Sequence, residues 1–306
     1  MIGITGIGYT LGTARVDNAA RGMADRDLLE NKIGVHHVVR TDGEDASDLA
    51  VRAVEDLRSR QGFDLEDCEC LIVVTQNPDG FGLPHTSAIV HEKLGLPESC
   101  AAFDISLGCS GFVYGLSAIT SFMEQNGMSC GLLITADPYS KVLDDDDRNT
   151  SLLFGDAAAA TLITGEPAWL AGRYVFGTAG KHHAALRVKD DRKLEMNGRT
   201  VFTFSATAIP PAIKRTLAEN RLELEDVDCF LLHQGSKYIV DNIAKRLGVA
   251  DRAAFHAGDY GNTVSSSLPI LLAENVPQEA NTILLSGFGV GLSLGCTILR
   301  RTNDDN

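Results

Sequence analysis

Apolar positions along the chain follow two different periods, and this alternation predicts an α/β protein. Short apolar runs rich in β-branched residues, such as 70–76 and 131–136, are typical of buried strands. Longer segments whose apolar positions lie three or four residues apart, such as 46–61 and 237–247, predict amphipathic helices. Strands and helices alternate through most of the chain, as they do in α/β proteins.

The same periodicity assigns the remaining elements. Further strands are predicted at 2–9, 103–106, 151–164, 169–180, 229–232, 282–286 and 293–300, and further helices at 25–32, 85–94, 112–122, 204–220 and 265–275. Gly155-Asp156 is expected to bend one strand, and Pro210-Pro211 to lie in the first turn or at a kink of a helix. The charged segment 181–199 is expected to be a loop.

Two parts of the chain repeat one another. Residues 64–71 align with residues 223–230, and each segment continues into an apolar strand and then a helix that ends in a Leu-Gly pair. The repeat predicts two pseudo-symmetric α/β halves, which we assign to residues 1–168 and 169–306.

Cys109 and Asn262 occupy equivalent places in this repeat. Each lies 14 positions after a matching glycine, Gly95 in the first half and Gly248 in the second. Each also comes directly before a helix rich in small and apolar residues. Packing about a pseudo-twofold axis would bring these two helix N-termini together at the centre.

Cys109 is the candidate nucleophile. It follows a predicted strand and lies in a turn of small residues, Gly108, Ser110 and Gly111, before an apolar helix. A helix N-terminus, with its dipole and free backbone N–H groups, favours the thiolate form of cysteine. A lone cysteine in an apolar segment is more often a small core residue. Whether Cys109 is a nucleophile or a core residue therefore depends on whether the second half of the chain supplies partner residues for catalysis.

His233 is the candidate base or hydrogen-bond donor. It follows strand 229–232 directly, a placement that none of the other seven histidines shares. A neutral imidazole accepts a thiol proton or donates to a carbonyl, and an asparagine amide donates a second hydrogen bond to the same oxygen. The glycine-rich segment 286–291 offers backbone N–H groups for an oxyanion hole. The alternative interpretation of His233 is a histidine that caps a turn, and that of segment 286–291 is an ordinary glycine-rich turn between two strands.

Composition and charge narrow the classes of function. The 306-residue chain has a formal net charge of −14, which argues against nucleic acid as a partner because phosphate binding needs a basic face. No apolar run reaches membrane-spanning length. The seven cysteines are scattered and no secretory signal is visible, so we expect a cytoplasmic protein. Cys68 and Cys70 lack the spacing and the second pair of a zinc site, and no metal site is predicted.

With these residues in view, the sequence resembles the ketoacyl-ACP synthase III family of the thiolase superfamily along essentially its whole length. The matching segments are 104–112 around the cysteine, 154–159, 233–236, 261–263 and 287–291. Each is weak alone, but in combination and in this order they are specific.

The resemblance implies a thiolase-like five-layer αβαβα fold, a homodimer and a two-stage reaction without a cofactor. Cys109 would take an acyl group from a thioester of CoA or of an acyl carrier protein. His233 and Asn262 would stabilise the enolate formed when a malonyl thioester loses carbon dioxide, and this carbanion would attack the acyl-cysteine.

The resemblance also implies where the substrates bind. The tetrahedral oxyanion would be held by the backbone N–H of Cys109 and by that of one residue among Phe288, Gly289 and Val290. The residues implied for CoA or carrier-protein binding are Lys32, Arg148, Ser236 and Lys237. Leu83 falls near an aromatic residue that a dimer partner often inserts at the floor of the acyl pocket, so a longer acyl group is expected to fit.

Several substrate-binding positions depart from the family pattern. Leu28 stands where the family commonly stacks a tryptophan on the CoA adenine, and Lys32 stands where an arginine contacts a CoA phosphate. Ser236 replaces an asparagine, and Tyr238, beside Lys237, replaces a basic residue used to dock the carrier protein. These changes favour a specialised condensing enzyme of secondary metabolism or sugar acylation at least as much as the first step of fatty acid synthesis.

Two alternative functions use the same fold. An acyltransferase would pass the acyl group from Cys109 to an oxygen or nitrogen without decarboxylation. A non-catalytic dimeric scaffold would keep the fold and form no acyl-enzyme. Decarboxylation of a malonyl thioester distinguishes the condensing enzyme from the acyltransferase, and an acyl-enzyme mass distinguishes both from the scaffold.

Overall fold

The structure is a computed structural model, and it describes residues 1–302. Its helices are α1 (Ala46–Arg60), α2 (Thr86–Leu94), α3 (Gly111–Asn126), α4 (Gly198–Glu219), α5 (Lys237–Leu247) and α6 (Ser267–Glu274). Its strands are β1 (Gly3–Leu11), β2 (Ala14–Asp17), β3 (His37–Arg40), β4 (Cys70–Val74), β5 (Ala101–Ile105), β6 (Cys130–Asp137), β7 (Ala157–Thr164), β8 (Trp169–Ala171), β9 (Val175–Thr178), β10 (Leu186–Val188), β11 (Leu194–Met196), β12 (Cys229–Leu232), β13 (Thr282–Gly289) and β14 (Ser293–Arg301).

The first half of the chain forms one side of the main sheet, in the order β5-β4-β6-β7-β1. β4 pairs in parallel with both β5 and β6, and the helices α2 and α3 supply the crossovers that parallel strands need. β7 then pairs antiparallel with β6 and with β1. All five residues of β4 are buried, as its unbroken apolar run predicts for a strand covered on both faces.

The second half repeats this arrangement. β12 and β13 run parallel, β14 is antiparallel to β13, and β14 pairs antiparallel with β8 and β9. Each pair has a counterpart among β4, β6, β7 and β1, so the repeat in the sequence is also a repeat of topology. A single residue pair, Ile4 with Trp169, joins β1 to β8, so the sheet of the described residues counts ten strands.

Helices lie in three layers around the two halves of the sheet. α3 and α6 form the middle layer, since Phe112 of α3 and Leu268 of α6 share one apolar cluster with Val74 of β4 and Leu285 of β13. α1 packs on the outer face of the first half, and α4 and α5 pack on the outer face of the second. This is the predicted αβαβα arrangement, and it directs the N-termini of both central helices toward the middle of the molecule.

Two strand predictions are wrong in detail. Residues 151–156 do not form part of a strand: 151–153 lie in a turn in which Leu153 N donates to Thr150 O at 3.0 Å, and Phe154 makes a single β-bridge with Asn262. β7 therefore begins only at Ala157. The strand expected at 169–180 is divided into β8 and β9.

The prediction of a loop at 181–199 is also wrong. This segment holds most of a short helical turn (Gly180–Ala185), the β10–β11 hairpin and the start of α4. Each strand of the hairpin has one buried residue, Leu186 or Leu194, followed by an exposed charged residue, Arg187 or Glu195. The high content of charged residues makes this pattern difficult to recognise in the sequence. The antiparallel pairing of β2 with β3 was not predicted from the sequence either.

Within residues 1–302, no helix combines the length and the apolar composition needed to cross a bilayer.

Candidate active site

One cavity of about 1070 Å³ opens where the two halves meet, and it contains all three residues of the predicted catalytic set. Cys109 of the first half and His233 and Asn262 of the second half line it together, with Phe288 and Gly289 beside them. Lys32, Arg148 and Ser236 line the same cavity, whereas Val290, Lys237 and Leu83 do not.

Cys109 lies two residues before α3 and is only 3% exposed. Gly289, at the end of β13, approaches it so closely that a Cβ atom there would lie 2.6 Å from the Cys109 Sγ atom. Gly289 also has a φ of +155°, a conformation that side chains rarely adopt. The glycine-rich segment is therefore the end of a strand that only glycine allows to pass this close to the sulfur.

Burial, more than the helix terminus, sets the acidity of the free thiol. It raises the pKa of Cys109 to about 12, although the backbone N–H groups of Val290 and of Cys109 itself lower that pKa. The sequence predicted that the start of α3 favours the thiolate. In the structure, the cost of removing a charged sulfur from water is larger than this stabilisation.

His233 lies at the carboxyl end of β12, where its backbone N–H donates to Ser286 O at 2.9 Å. Its Nδ1 atom is 2.7 Å from Ser267 Oγ, and the ring of Phe288 stands edge-on to the imidazole, with 5.6 Å between the ring centroids. Burial lowers the pKa of His233 to about 3, so the imidazole is neutral at physiological pH. Because Nδ1 is engaged by Ser267, Nε2 is the ring nitrogen left for the cavity.

Asn262 is held by both its backbone and its side chain. Its N–H donates to Leu153 O at 2.7 Å, and its carbonyl accepts from Gly155 N at 3.0 Å. Its side-chain Oδ1 accepts a hydrogen bond from Val264 N at 2.9 Å. The acceptor end of the amide is thus occupied, and the Nδ2 donor end is left for the cavity that Asn262 lines.

The turn after Asn262 contains groups that the sequence analysis missed. Val264 has a φ of +52°, which is strained for a β-branched residue. The carboxylate of Asp137 holds this turn, because it accepts hydrogen bonds from the hydroxyl of Ser265 and from Gln76 N. Three consecutive serines, 265–267, at the start of an otherwise apolar helix were the available signal.

The entrance of the cavity combines apolar surface with a few cations. Lys32 pairs with Asp27 at 3.0 Å, and Arg148, which directly follows the acidic segment 144–147, also lines the cavity. Phe202 and Tyr238 stack with ring centroids 5.0 Å apart, and Leu28 also lines the wall. Leu28, Phe202 and Tyr238 therefore place apolar surface on the same cavity wall as the cations Lys32, Arg148 and Arg199.

Two predicted substrate residues lie elsewhere. Lys237 is paired with Asp241 at 2.6 Å on the surface of α5. Leu83 is 91% exposed on the surface loop between β4 and α2, close to the exposed Phe81. Val290 does lie beside the nucleophile, since its side chain packs against the apolar cluster that includes Cys109 and its N–H reaches the Cys109 thiol. Ser236, which does line the cavity, caps α5 by accepting from Ile239 N at 3.4 Å.

Over the described part of the chain, residues 1–302, no three acidic, histidine or cysteine side chains converge as metal ligands would. Asp156 accepts hydrogen bonds from the N–H groups of Thr41 and Ser140, at 2.9 and 2.8 Å, which gives this buried carboxylate a structural role.

Comparisons with known proteins identify the family to which the chain belongs. The family model of 3-oxoacyl-[acyl-carrier-protein (ACP)] synthase III matches residues 103–180, and the model of its C-terminal part matches residues 217–301. A β-ketoacyl-[acyl-carrier-protein] synthase III of Streptococcus pneumoniae is 37% identical over 296 residues, which cover 89% of this chain and 90% of that protein.

Solved structures give the same result. A crystal structure of a 3-oxoacyl-(acyl-carrier-protein) synthase III superposes with a TM-score of 0.91 at 31% identity, covering 98% of this chain and 99% of the other. The priming β-ketosynthase of the R1128 polyketide biosynthetic pathway superposes with a TM-score of 0.88 at 25% identity, covering 99% and 97%. The chain therefore belongs to the 3-oxoacyl-[acyl-carrier-protein] synthase III family of thiolase-fold condensing enzymes.

Proposed function

We propose that this protein condenses an acyl thioester with a malonyl thioester, with loss of carbon dioxide, through an acyl-Cys109 intermediate. The observation that carries the proposal is the convergence of Cys109, His233 and Asn262 on one cavity. The set combines a nucleophile with two neutral donors, and this suits a reaction in which negative charge develops first on one thioester oxygen and then on another.

In the first stage, the sulfur of Cys109 bonds to the acyl carbon as the donor's own C–S bond breaks. The proton of the Cys109 thiol leaves with the departing thiolate, so that no net charge remains in the cavity. Since burial raises the pKa of Cys109 to about 12, the proton moves as the new bond forms rather than beforehand. The N–H groups of Cys109 and of Val290 are the proposed donors to the tetrahedral oxyanion.

In the second stage, the bond between the malonyl carboxylate and the adjacent carbon breaks. Its electron pair moves into the thioester, which becomes an enolate, and carbon dioxide leaves. Asn262 Nδ2 and His233 Nε2 are the proposed donors to the enolate oxygen. The enolate carbon then attacks the acyl group, and the sulfur of Cys109 departs as a thiolate when the new carbon–carbon bond forms. This thiolate takes up one proton from water, which restores the thiol.

The two donors also favour condensation over the alternative, transfer of the acyl group to oxygen or nitrogen. Such transfer needs a base for the incoming nucleophile. His233, whose pKa burial lowers to about 3, is a weak base. A neutral imidazole beside a carboxamide is better suited to hold an enolate oxygen, and the two reaction stages balance with the two thioesters, these side chains and one proton taken from water.

The proposed substrates are an acyl-CoA or acyl carrier protein as the acyl donor and a malonyl thioester as the extender. Lys32, Arg148, Ser236 and Lys237 remain the proposed residues for CoA or carrier-protein binding. The apolar wall surface that includes Leu28, and the exposed Tyr238 in place of a basic residue, support a specialised donor over acetyl-CoA.

We further propose a homodimer located in the cytoplasm. The dimer is supported by the exposed apolar loop that carries Phe81 and Leu83, 79% and 91% exposed, and Leu83 is the proposed contact with the partner's acyl pocket. The cytoplasmic location is supported by seven free cysteines. The division into halves at residues 168 and 169 is likewise a proposal.

Intact-protein mass spectrometry tests the proposed reaction. Incubation with a series of acyl-CoAs of increasing length is expected to add one acyl mass to the wild type and none to Cys109→Ala. Subsequent malonyl thioester is expected to release carbon dioxide and remove that mass. Persistent acylation of Cys109→Ala contradicts the choice of nucleophile, and transfer to an alcohol or amine without carbon dioxide release supports the alternative.

A further inference from the structure

Ser267 lies against the imidazole of His233 and has no part in the reaction as described so far. It is the first residue of α6, and its Oγ atom is 2.7 Å from His233 Nδ1. Both residues are buried, with 1% and 2% exposure. Among the protein groups of residues 1–302, Nδ1 is the one hydrogen-bond partner of this hydroxyl.

The direction of this hydrogen bond determines where the imidazole carries its proton. If Nδ1–H donates to Ser267 Oγ, the hydroxyl hydrogen of Ser267 is left buried without a protein acceptor, which is costly. If the hydroxyl donates to Nδ1, the serine hydrogen and the lone pair of the ring are both satisfied. A neutral imidazole then carries its proton on Nε2.

We propose that Ser267 is a positioning residue that holds His233 in the neutral Nε2–H tautomer, ready to donate a hydrogen bond into the cavity. The function of that donor, stabilising the enolate oxygen of the malonyl thioester, rests on the proposed function. The tautomer itself rests only on the contact between the two side chains.

This assignment decides between the two roles that the sequence left open for His233. In the Nε2–H tautomer the nitrogen facing the cavity has no lone pair, so it is a donor and does not accept the thiol proton of Cys109. Loss of Ser267 should therefore affect decarboxylation and leave acyl transfer to Cys109 largely intact. A purely structural role for Ser267 would affect both stages together.

The tautomer is tested directly by NMR of protein labelled with ¹⁵N-histidine, with His233→Gln used to assign the signals. Long-range ¹H–¹⁵N spectra are expected to show a protonated Nε2 and a bare Nδ1 in the wild type. In Ser267→Ala both tautomers become populated, so the ¹⁵N chemical shifts of His233 Nδ1 and Nε2 are expected to become more similar. A wild-type proton on Nδ1, or spectra that Ser267→Ala does not change, would overturn the proposal.

Kinetics of the separate stages provide the second measurement. Ser267→Ala is expected to slow malonyl decarboxylation by about 10- to 100-fold, by analogy with partners that orient metal-ligating histidines. Acyl loading of Cys109 is expected to stay within about twofold. Ser267→Thr, which keeps the hydroxyl, should restore decarboxylation.

Ser266→Ala is the matched control, because Ser266 is equally buried in the same turn and its hydroxyl is 2.8 Å from Thr135 Oγ1, away from the imidazole. Equal loss of both stages in Ser267→Ala, or the same selective loss in Ser266→Ala, contradicts the proposal. A wild type that loads acyl groups and never decarboxylates malonyl thioesters contradicts the proposed function instead, and the NMR result then still decides the tautomer.

Discussion

The carboxamide oxygen of Asn262 accepts a hydrogen bond from the backbone N–H of Val264 at 2.9 Å. This contact orients the side chain, because an amide whose oxygen is bound to a neighbouring N–H must turn its Nδ2 group the other way. Val264 adopts a left-handed backbone conformation, with φ of +52°, to make the contact. Backbone strain of this kind persists where the surrounding structure enforces it, and it is concentrated at functional sites.

Asn262→Asp is the sharpest test of this orientation. Aspartate keeps an oxygen for the Val264 N–H but replaces the Nδ2 donor with a second acceptor, so it would repel the enolate. We expect malonyl decarboxylation to fall by at least about 100-fold, as when an oxyanion donor is removed, while acyl loading of Cys109 changes by no more than a few-fold. A variant that decarboxylates normally would show that Nδ2 is not the donor. Asn262→Ala, which loses both contacts, should be equally inactive and less stable.

Gly289→Ala tests the close approach of β13 to the nucleophile. The added Cβ would lie 2.6 Å from Cys109 Sγ, at a φ of +155°, so the strand or the sulfur has to move. We expect acyl loading to fall by at least about tenfold, since small displacements of reacting groups are costly. Gly180→Ala is the control, because a Cβ there meets no atom within 4 Å. Equal acylation of both variants would mean that the cavity tolerates the displacement.

The acidity of Cys109 predicts how its alkylation depends on pH. Burial raises the pKa of the thiol to about 12, so the thiolate fraction continues to increase throughout the usable alkaline range. The rate of alkylation by iodoacetamide, followed as the mass added to the wild type and absent from Cys109→Ala, should rise up to pH 10 without a plateau. A plateau below pH 8 would indicate that the start of α3 stabilises the thiolate more than burial destabilises it.

The burial of His233 leads us to expect that the folded protein loses stability at acid pH. Its pKa is lowered from 6.5 to about 3 by burial, so the unfolded chain binds a proton more readily than the folded chain between these values. The stabilisation is complete above pH 6.5 and is lost as pH falls toward 3, by roughly 5 kcal/mol in all.

Urea unfolding at several pH values measures this dependence. The free energy of unfolding of His233→Gln should decrease less than that of the wild type between pH 6.5 and pH 4. Equal slopes for the two proteins would show that the imidazole is readily protonated in the folded state.

The sequence predicted the features that follow from periodicity and repetition. The equivalence of Cys109 and Asn262 came from matching positions in two halves, and a pseudo-twofold fold brings such positions together. The placement of His233 came from the end of a strand. These inferences use the main-chain path alone, which the apolar pattern largely determines.

The features that the sequence did not predict depend on side-chain packing between distant segments. The high pKa of Cys109 arises from the residues that enclose it, and the contact of Ser267 with His233 joins two elements 34 residues apart. The β10–β11 hairpin was missed because its outward charges conceal the inward Leu186 and Leu194. Neither local propensity nor the spacing of motifs contains this information.

The parallel β-bridge between Phe154 and Asn262 makes each half of the protein depend on the other. This parallel pairing ties the segment ahead of β7, in the unit that supplies the sulfur, to the segment that supplies the amide in its sister unit. Neither copy of the duplicated unit then has a complete pocket or fully paired main chain in isolation. If the two halves are expressed separately, acyl loading of Cys109 should be seen only after they are mixed. A disruptive substitution in either half should therefore abolish the activity of the whole protein.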